Sequence, residues 1–237
     1  MKALIFAAGK GTRLRPFTDH HPKALMKVNG IPLLERNIRY LQSYGINDFV
    51  INLHHFGEQI IDFLEQNRYF GAHIEFSHEK DQLLETGGGL IFAKKFLAQE
   101  EDFLIMNADI LTDMKISDLV HFHRKQNSLV TLAVSDRKSS RKLLFDEKML
   151  LKGWKNTDTG EQRLSIGNNN LKSLAFSGIH CVDVRFFNHI KRTGKFSIME
   201  EYLDLMLTED IYGFQHQAKL VDVGRPQSVL KAEQYFK

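Results

Sequence analysis

The sequence predicts an α/β fold in which a mostly parallel, Rossmann-like central sheet carries helices on both faces. Short, continuous apolar runs alternate over the first 135 residues with segments whose apolar residues recur at helical spacing. Apolar runs of this kind are typical of strands buried on both faces, and their alternation with helices favours parallel crossover connections. A polar, turn-rich stretch then interrupts the alternation before an apolar strand resumes.

Five strands and four helices are predicted within this first part. Leu33, Leu34, Ile38 and Leu41 recur at helical spacing in the first helix, and Gly45 follows as a C-terminal stop. The predicted strands have the sequences ALIFAA, DFVINL, HIEFSHE, DFLIMN and LVTLAVS. The helices between them have the sequences PLLERNIRYLQSYG, GEQIIDFLEQN, GGGLIFAKKFLAQ and ISDLVHFHRKQN. Each helix therefore joins one buried strand to the next.

Residues 136–173 break the alternation, because they are polar and rich in turn-forming residues. Strand-like pieces at KLLF and LLKGW indicate an inserted hairpin region over one edge of the sheet. A strand LAFSGIHCVD, a helix FSIMEEYLDLML, a late strand KLVDV and a closing helix follow, and the closing helix begins at Pro226, a favoured first-turn residue. No internal repeat or low-complexity tract is present in the sequence, so we expect residues 1–237 to form a single domain.

The composition is that of an ordinary globular protein. The chain has 32 Lys and Arg against 29 Asp and Glu, and a net charge of +3 does not by itself indicate a nucleic-acid partner. Cys181 is the single cysteine, which excludes an intrachain disulfide. The apolar run Ala3–Ala8 is too short to span a bilayer and lacks the features of a signal peptide. We therefore expect a cytoplasmic protein with neither a nucleic-acid nor a membrane partner.

The first strand ends in a loop suited to an anion. In MKALIFAAGKGTRLRP, Gly9 and Gly11 let the backbone turn with its N–H groups uncovered, and such groups form anion-binding nests. Arg13 and Arg15 add donors that can bind phosphate oxygens in pairs. Ligands of open α/β sheets bind beyond the carboxyl ends of the strands, where this loop lies. The loop favours a polyphosphate, and a surface turn with solvated arginines stays open as the alternative on these residues alone.

The spacing matches neither of the two common phosphate loops. Walker A requires G-x-x-x-x-G-K-[ST], whereas Gly9 is followed by KGTRLR. The dinucleotide fingerprint requires a third glycine at the position of Leu14, which counts against a dinucleotide-binding oxidoreductase.

A longer string resembles the signature of the nucleotidyltransferases that activate sugar 1-phosphates. That signature has the form A-A-G-x-G-T-R-L-x-P-x-T, then P-K-x-L, then G-x-P-L-[IL], and every element is present in AAGKGTRLRPFTDHHPKALMKVNGIPLLERNI. The resemblance continues in LLETGGGL, NAD at 107–109, FSGIH and VDVGRP, so that it covers nearly the whole chain and weakens only across 136–173. It implies the nucleotide-diphospho-sugar transferase fold, with the inserted region on the acceptor side of the site.

The resemblance also implies which residues bind the nucleotide. Arg13 and Lys23 would act in catalysis as well as in binding, with Lys23 neutralising the α-phosphate during attack. A glycine-rich helix start in LLETGGGL would close over the nucleobase. The residues implied in nucleotide binding are Ala8, Gly9, Gly11, Thr12, Arg13, Lys23, Glu85, Thr86, Gly87, Gly88, Asn107 and Gly178.

Two aspartates are candidate ligands of Mg²⁺. Asp109 follows the apolar strand DFLIMN, and Asp222 follows apolar residues of the late strand. A carboxylate at the carboxyl end of a strand suits Mg²⁺, which takes few carboxylates together with phosphate oxygens and waters. Either aspartate alone would more often be a cap or turn residue. The resemblance implies that Asp109 and Asp222 together bind the catalytic metal.

The acceptor side departs from the family pattern. Many relatives carry E-E-K-P after the inserted hairpin, with its lysine on the sugar phosphate, and KGWKN occupies that place here. Lys155 is therefore the implied third catalytic residue, but Trp154 replaces the glutamate before it, and Arg141 is a rival for the same role.

The short chain and LETGGG are most similar to the N-acetylmuramate 1-phosphate uridylyltransferases of cell-wall recycling. That similarity implies that an oxygen of N-acetylmuramate 1-phosphate attacks the α-phosphorus of UTP and releases pyrophosphate. We expect a monomer or a small homo-oligomer. Two alternatives stay open: a cytidylyltransferase acting on phosphocholine, for which Trp154 and Phe176 could supply an aromatic pocket, and a nucleotide-sensing subunit without turnover.

Overall fold

The computed structural model describes residues 1–165 and 170–237, so that residues 166–169 of the predicted inserted region lie outside the described residues. The strands are β1 (Lys2–Phe6), β2 (Lys27–Val28), β3 (Ile31–Pro32), β4 (Asp48–Leu53), β5 (His73–His78), β6 (Asp102–Asn107), β7 (Ile110–Thr112), β8 (Val130–Ser135), β9 (Arg141–Phe145), β10 (Leu151–Asn156), β11 (Gln162–Leu164), β12 (Lys172–Asp183), β13 (Ile211–Gln215) and β14 (Leu220–Asp222). The helices are α1 (Leu33–Gln42), α2 (Gly57–Gln66), α3 (Glu85–Leu97), α4 (Ile116–Gln126), α5 (Phe186–His189), α6 (Ile198–Leu205) and α7 (Pro226–Tyr235). None of the helices in these two described ranges is long and apolar enough to cross a membrane.

The main sheet is mixed, with ten strands among the described residues. At its centre β5, β4, β1 and β6 run parallel in that order, with Leu4 paired to Val50 on one side and to Ile105 on the other. β12 continues the sheet antiparallel to β6, and its first residues pair antiparallel with β9. β8 pairs antiparallel with β12, and β13 adds to β8 in parallel. The predicted sheet of mostly parallel central strands is therefore confirmed.

Helices cover both faces of this sheet, as predicted. In β1, Leu4 packs on one face with the apolar residues of α3 and α6, whereas Ala3 and Ile5 point to the opposite face, against α1, α2 and α4. All three side chains are fully buried, and burying a leucine or isoleucine stabilises the fold by roughly 2 kcal/mol. Because successive side chains of a strand point to opposite faces, a continuous apolar run such as ALIF serves both cores.

The predicted hairpin in the inserted region is present, and β13 is among the strands missing from the prediction. KLLF lies in β9 and LLKGW in β10, and the two strands pair antiparallel. The sequence does not predict β13, because Gly213 interrupts its apolar residues and glycine usually weakens a strand. A Cβ atom at Gly213 would stand only 2.7 Å from the ring of Phe145, so the neighbouring strands require glycine there.

A small two-stranded sheet brings the end of the chain to the end of β6. The predicted late strand is β14, which pairs antiparallel with β7 outside the main sheet and sets Asp222 opposite Ile110. Next to it, Val223 packs with Ala232 of α7 and with Val28 of β2 and Leu33 of α1. The last helix therefore helps to hold the segment that carries Asp222 beside the turn that carries Asp109.

His180 is a fully buried histidine without a hydrogen-bond partner among the described residues. It lies on β12 with its ring 5.4 Å from that of Phe176 and 5.6 Å from that of Tyr202. Burial lowers the pKa of His180 to about 3, because the apolar surroundings disfavour the imidazolium. The folded protein therefore keeps this imidazole neutral at pH values where an unfolded chain protonates it.

We expect the free energy of unfolding to decrease as the pH falls from about 6.5 towards 4. The pKa of His180 is lower in the folded state than in the unfolded state, so between these two pKa values the unfolded state binds a proton that the folded state does not bind. His180→Leu should flatten the profile by about 2 kcal/mol between pH 6 and 4, measured by urea unfolding at each pH. His121→Leu, on the exposed side of α4, is the control for removing an imidazole. An unchanged profile in His180→Leu would contradict this account.

Candidate active site

The candidate active site is a cleft at the carboxyl ends of the central strands. Its main cavity has a volume of about 580 Å³. A smaller cavity of about 270 Å³ and a wide recess of about 1210 Å³ adjoin it, and Asn107 at the end of β6 lines all three. Ten residues implied by the sequence resemblance line the main cavity, namely Ala8, Gly9, Gly11, Thr12, Arg13, Lys23, Glu85, Thr86, Asn107 and Asp109.

The loop after β1 has no room for a side chain at Gly11. Gly11 has a φ of +63°, and a Cβ atom there would lie 2.8 Å from Thr18 Cγ2 and 3.0 Å from Lys23 Cβ. Thr18 Oγ1 also donates a hydrogen bond to the Gly11 carbonyl oxygen at 2.9 Å. Glycine is therefore required for the turn that directs the following residues, Thr12 and Arg13, into the cavity.

Four charged side chains converge at the inner end of this loop. Lys23 Nζ donates a hydrogen bond to Asp109 Oδ2. Asp222 and Arg13 lie close to Lys23 around Gly224. A Cβ atom at Gly224 would lie 2.7 Å from Asp222 Oδ1, 3.1 Å from Arg13 Nη2 and 3.4 Å from Lys23 Nζ, so the absence of a side chain lets these three groups come together. We call Arg13, Lys23, Asp109 and Asp222 the charged cluster; it joins three segments that are distant in sequence, at residues 13–23, 109 and 222.

The two aspartates of the charged cluster fit a divalent cation. Asp222 Oδ1 is buried and has no hydrogen-bond partner among the described residues, although buried polar atoms are nearly always paired. Burial raises the pKa of Asp222, the neighbouring charge of Asp109 raises it further, and the cations Lys23, Arg13 and Arg137 oppose that rise. Residues 1–165 and 170–237 contain no group of three or more His, Cys, Asp or Glu suited to a metal. Two carboxylates suffice for Mg²⁺, which keeps waters and phosphate oxygens as its other ligands.

The start of α3 contributes two residues to the cavity and not four. Glu85 and Thr86 line it, and Thr86 Oγ1 accepts a hydrogen bond from Ile198 N at 3.0 Å. Gly87 and Gly88 instead face the segment 194–196, because a Cβ atom would lie 2.2 Å from the Phe196 ring at Gly87 and 2.1 Å from a backbone oxygen at Gly88. These two glycines do not line the main cavity, and they allow close packing of the helix start.

The 270 Å³ cavity lies between the inserted strands and α6. Trp154, Phe176 and His180 line it together with Leu143 and Met199. Its polar lining residues are Thr86, Asn107, Arg141 and Ser197. Such a mostly apolar cavity with a few polar groups is typical of a small-molecule site.

Strand register places Arg141 and Lys155 on opposite faces of the inserted strands. Trp154 of β10 pairs with Leu143 of β9, and both line the 270 Å³ cavity, as does Arg141, two residues before Leu143. Lys155 pairs with Lys142, and successive side chains of a strand point to opposite faces. Neither lysine lines the three cavities. Of the two candidates for the acceptor phosphate, Arg141 lines the cavities and Lys155 does not.

The 1210 Å³ recess is strongly basic. Arg137 is half-buried in its wall, where Nη2 donates to the Phe176 carbonyl oxygen at 2.8 Å and burial lowers the pKa of the guanidinium. Gly178, with a φ of +73°, and Asp222 also line this recess rather than the main cavity. Its cationic lining residues are Arg13, Arg137, Lys138, Arg141, Arg225 and Lys231.

Sequence reasoning missed several of these residues. Arg137 and Lys138 belong to the polar stretch DRKSSRK, whose density of cations is the one signal that points to them. Arg225 lies within the recognised VDVGRP string, but the resemblance gives it no role. Asn52, which lines the main cavity at the end of β4, gave no signal, because a single asparagine within DFVINL has no motif around it.

Comparison with known proteins confirms the family. Residues 2–143 match the family model described as Nucleotidyl transferase, so the chain belongs to the nucleotidyl transferase family. N-acetylmuramate alpha-1-phosphate uridylyltransferase of Neisseria meningitidis serogroup B is 42% identical over 114 residues, or 48% of this chain and 49% of that protein. Mannose-1-phosphate guanyltransferase of Yarrowia lipolytica is 27% identical over 97% of this chain and 62% of that protein. The match to the first relative spans about half of its length.

Solved structures confirm the expected fold over the whole chain. HddC from Yersinia pseudotuberculosis, complexed with GMP-PN, has a TM-score of 0.82 at 21% identity and covers 100% of this chain and 99% of that one. A putative glucose-1-phosphate thymidylyltransferase from Bacillus anthracis has a TM-score of 0.83 at 18% identity, with coverage of 99% and 94%. The architecture is thus that of nucleotide-diphospho-sugar transferases.

Proposed function

We propose that this protein transfers a uridylyl group from UTP to a sugar 1-phosphate, with N-acetylmuramate 1-phosphate as the favoured acceptor, and releases pyrophosphate. The observation that carries the proposal is the charged cluster at the end of a glycine loop. A protein that only senses nucleotides has little need of two carboxylates beside two cations there.

The chain's residues supply positioning and charge compensation. A phosphate monoester is largely dianionic at pH 7, since its second pKa is about 6, so an acceptor oxygen can attack without a general base. The new bond joins that oxygen to the α-phosphorus, and the bond to the β-phosphate breaks. Backbone N–H groups of residues 8–12 hold the triphosphate, while Arg13 and Lys23 stabilise the charge that develops on its oxygens.

Asp109 and Asp222 would hold Mg²⁺. The unpartnered Oδ1 atom of Asp222 supports that role, as does the position of both carboxylates within the charged cluster. When bound, Mg²⁺ supplies Lewis-acid stabilisation of the phosphate oxygens. Lys23, already bonded to Asp109, keeps that carboxylate aimed at the site before the substrates arrive.

The cavities around Asn107 support an acidic N-acetyl sugar as the acceptor. The 270 Å³ cavity offers Trp154 and Phe176 as apolar walls for a pyranose and its acetyl methyl group. The basic recess beside it offers cations to a second anionic group in addition to the phosphate. N-acetylmuramate 1-phosphate carries such a carboxylate, and the Neisseria meningitidis relative is named for that substrate.

Phosphocholine is the weaker acceptor candidate. Trp154 and Phe176 could form part of an aromatic site for a quaternary ammonium group. Arg141 lines the same cavity, and its positive charge would repel that group. The geometry therefore favours an acceptor with a second anionic group over one with a quaternary ammonium group.

The reaction is tested by pyrophosphate release with Mg²⁺, using UTP, CTP, GTP and dTTP against a panel of sugar 1-phosphates and phosphocholine. We expect the fastest release with UTP and N-acetylmuramate 1-phosphate, because the recess compensates the extra carboxylate. Asp109→Ala should lower the rate by roughly 10³-fold or more, since it removes a carboxylate at the charged cluster. Release only with CTP and phosphocholine would show that these are the substrates and would contradict UTP and N-acetylmuramate 1-phosphate. No release with any pair would refute the proposed activity.

Arg141 and Lys155 form a matched pair for testing the acceptor side. Arg141→Gln should raise the KM for the acceptor roughly 10- to 100-fold, since a charge-assisted hydrogen bond contributes about 1.5–3 kcal/mol, while the KM for UTP stays unchanged. Lys155→Gln removes a cation on the opposite face and should leave both values unchanged. The assignment fails if steady-state kinetics show the reverse pattern.

A further inference from the structure

Asn52 is a buried amide at the edge of the nucleotide cavity. It lies near the end of β4, paired in register with Phe6 of β1, and only 1% of its surface is exposed. Even so, it lines the main cavity together with Ala7 and Leu83. β4 and β6 flank β1 on opposite sides, so Asn52 and the end of β6 before Asp109 are about 10 Å apart, two strand spacings. Asn52 therefore lies apart from the charged cluster.

Glu79 fixes the orientation of the Asn52 amide. Asn52 Nδ2 donates to Glu79 Oε1 at 2.8 Å and lies 3.4 Å from the Ser77 carbonyl oxygen. A carboxylate accepts hydrogen bonds, so the NH₂ group of the amide must face Glu79 and the oxygen must face away. In the part of the chain that the structure describes, both hydrogen bonds of the Asn52 side chain are donated by Nδ2, and neither uses Oδ1. It is therefore an acceptor left free beside the cavity.

Three elements hold Glu79 in place. Its second oxygen, Oε2, accepts a hydrogen bond from Leu84 N at 2.7 Å, and its carbonyl oxygen lies 2.7 Å from His54 Nδ1. Gly89 of α3 allows the close approach, because a Cβ atom there would stand 2.7 Å from Glu79 Oε1 and 3.3 Å from Asn52 Oδ1. Rotation of the Asn52 amide would turn its NH₂ group away from the carboxylate, at a cost of about 2 kcal/mol.

We propose that Asn52 Oδ1 accepts a hydrogen bond from the ring N–H of the nucleobase, and that Glu79 acts as its positioning residue. Uracil presents N3–H as a donor, whereas N3 of cytosine is an acceptor and would face Oδ1 without a hydrogen between them. A site built around one hydrogen bond discriminates strongly against an analogue that cannot form it. The inference rests on the proposed nucleotide site and explains why UTP is used in place of CTP.

Direct binding to the intact protein tests this without turnover. Isothermal titration compares UTP, CTP and N3-methyluridine triphosphate, which lacks only the N3–H donor and carries a methyl group there. Wild type should bind UTP roughly 30-fold more tightly than either of the others, from about 2 kcal/mol for the lost hydrogen bond. Equal binding of UTP and N3-methyluridine triphosphate overturns the proposal, whatever the variants do.

Glu79→Gln tests the positioning role. The new amide can donate to Asn52 Oδ1, so the Asn52 side chain is free to turn its NH₂ group towards the base. The ratio of UTP to CTP affinity should then fall by roughly 10-fold, with the melting temperature measured in parallel. Glu75→Gln, an isosteric change on β5 where Glu75 pairs with Lys2, is the matched control and should keep the wild-type ratio. An unchanged ratio in Glu79→Gln refutes the role of Glu79.

The outcomes separate this inference from the proposed activity. A base preference that depends on Glu79, without pyrophosphate release from any substrate pair, would refute the activity and support the base site. Release from UTP with a preference that Glu79→Gln does not alter would support the activity and refute the base site. No binding of UTP to wild type would refute both.

Discussion

The contact between Lys23 and Asp109 is the interaction on which the site depends. It joins the segment after the glycine loop to the turn after β6, and the backbone N–H of Val223 donates to the Asp109 carbonyl oxygen at 2.8 Å from the far end of the chain. Three segments distant in sequence therefore meet at one aspartate. Without a cation beside it, Asp109 would face Asp222 across a partly buried space, where like charges repel strongly.

The rest of the fold positions the residues of the charged cluster. Parallel β1, β4 and β6 bring their carboxyl ends to one edge, and the antiparallel β12 directs Gly178 and Phe176 to the same edge. β14 and α7 then return the chain so that Asp222 closes the charged cluster. The cleft is therefore lined by different parts of the chain.

Local patterns could be predicted from the sequence, and contacts set by strand register could not. The main strands are recognisable from their apolar runs. The loop after β1 is recognisable because Gly11, Arg13 and Lys23 belong to one contiguous string. Arg141 and Lys155 lie on paired strands, where a shift of one residue exchanges the two faces, and no single-sequence pattern determines that register.

Glycine and asparagine illustrate the same limit. Gly87 belongs to a recognisable motif, yet its need for glycine arises from the ring of Phe196, more than one hundred residues later. Asn52 becomes informative only when Glu79 is seen to fix its amide. Such functions depend on packing partners that the sequence does not place together.

The central claim is that Asp109 and Asp222 form a metal-dependent nucleotide site with Arg13 and Lys23. The most direct measurement is titration of UTP into wild type and Asp222→Asn, with Mg²⁺ and with EDTA. The account predicts that Mg²⁺ tightens UTP binding to wild type at least about 10-fold and that Asp222→Asn loses most of this gain, because one carboxylate ligand is gone. Equal UTP affinity with and without Mg²⁺ in wild type, or an undiminished gain in the variant, would contradict it.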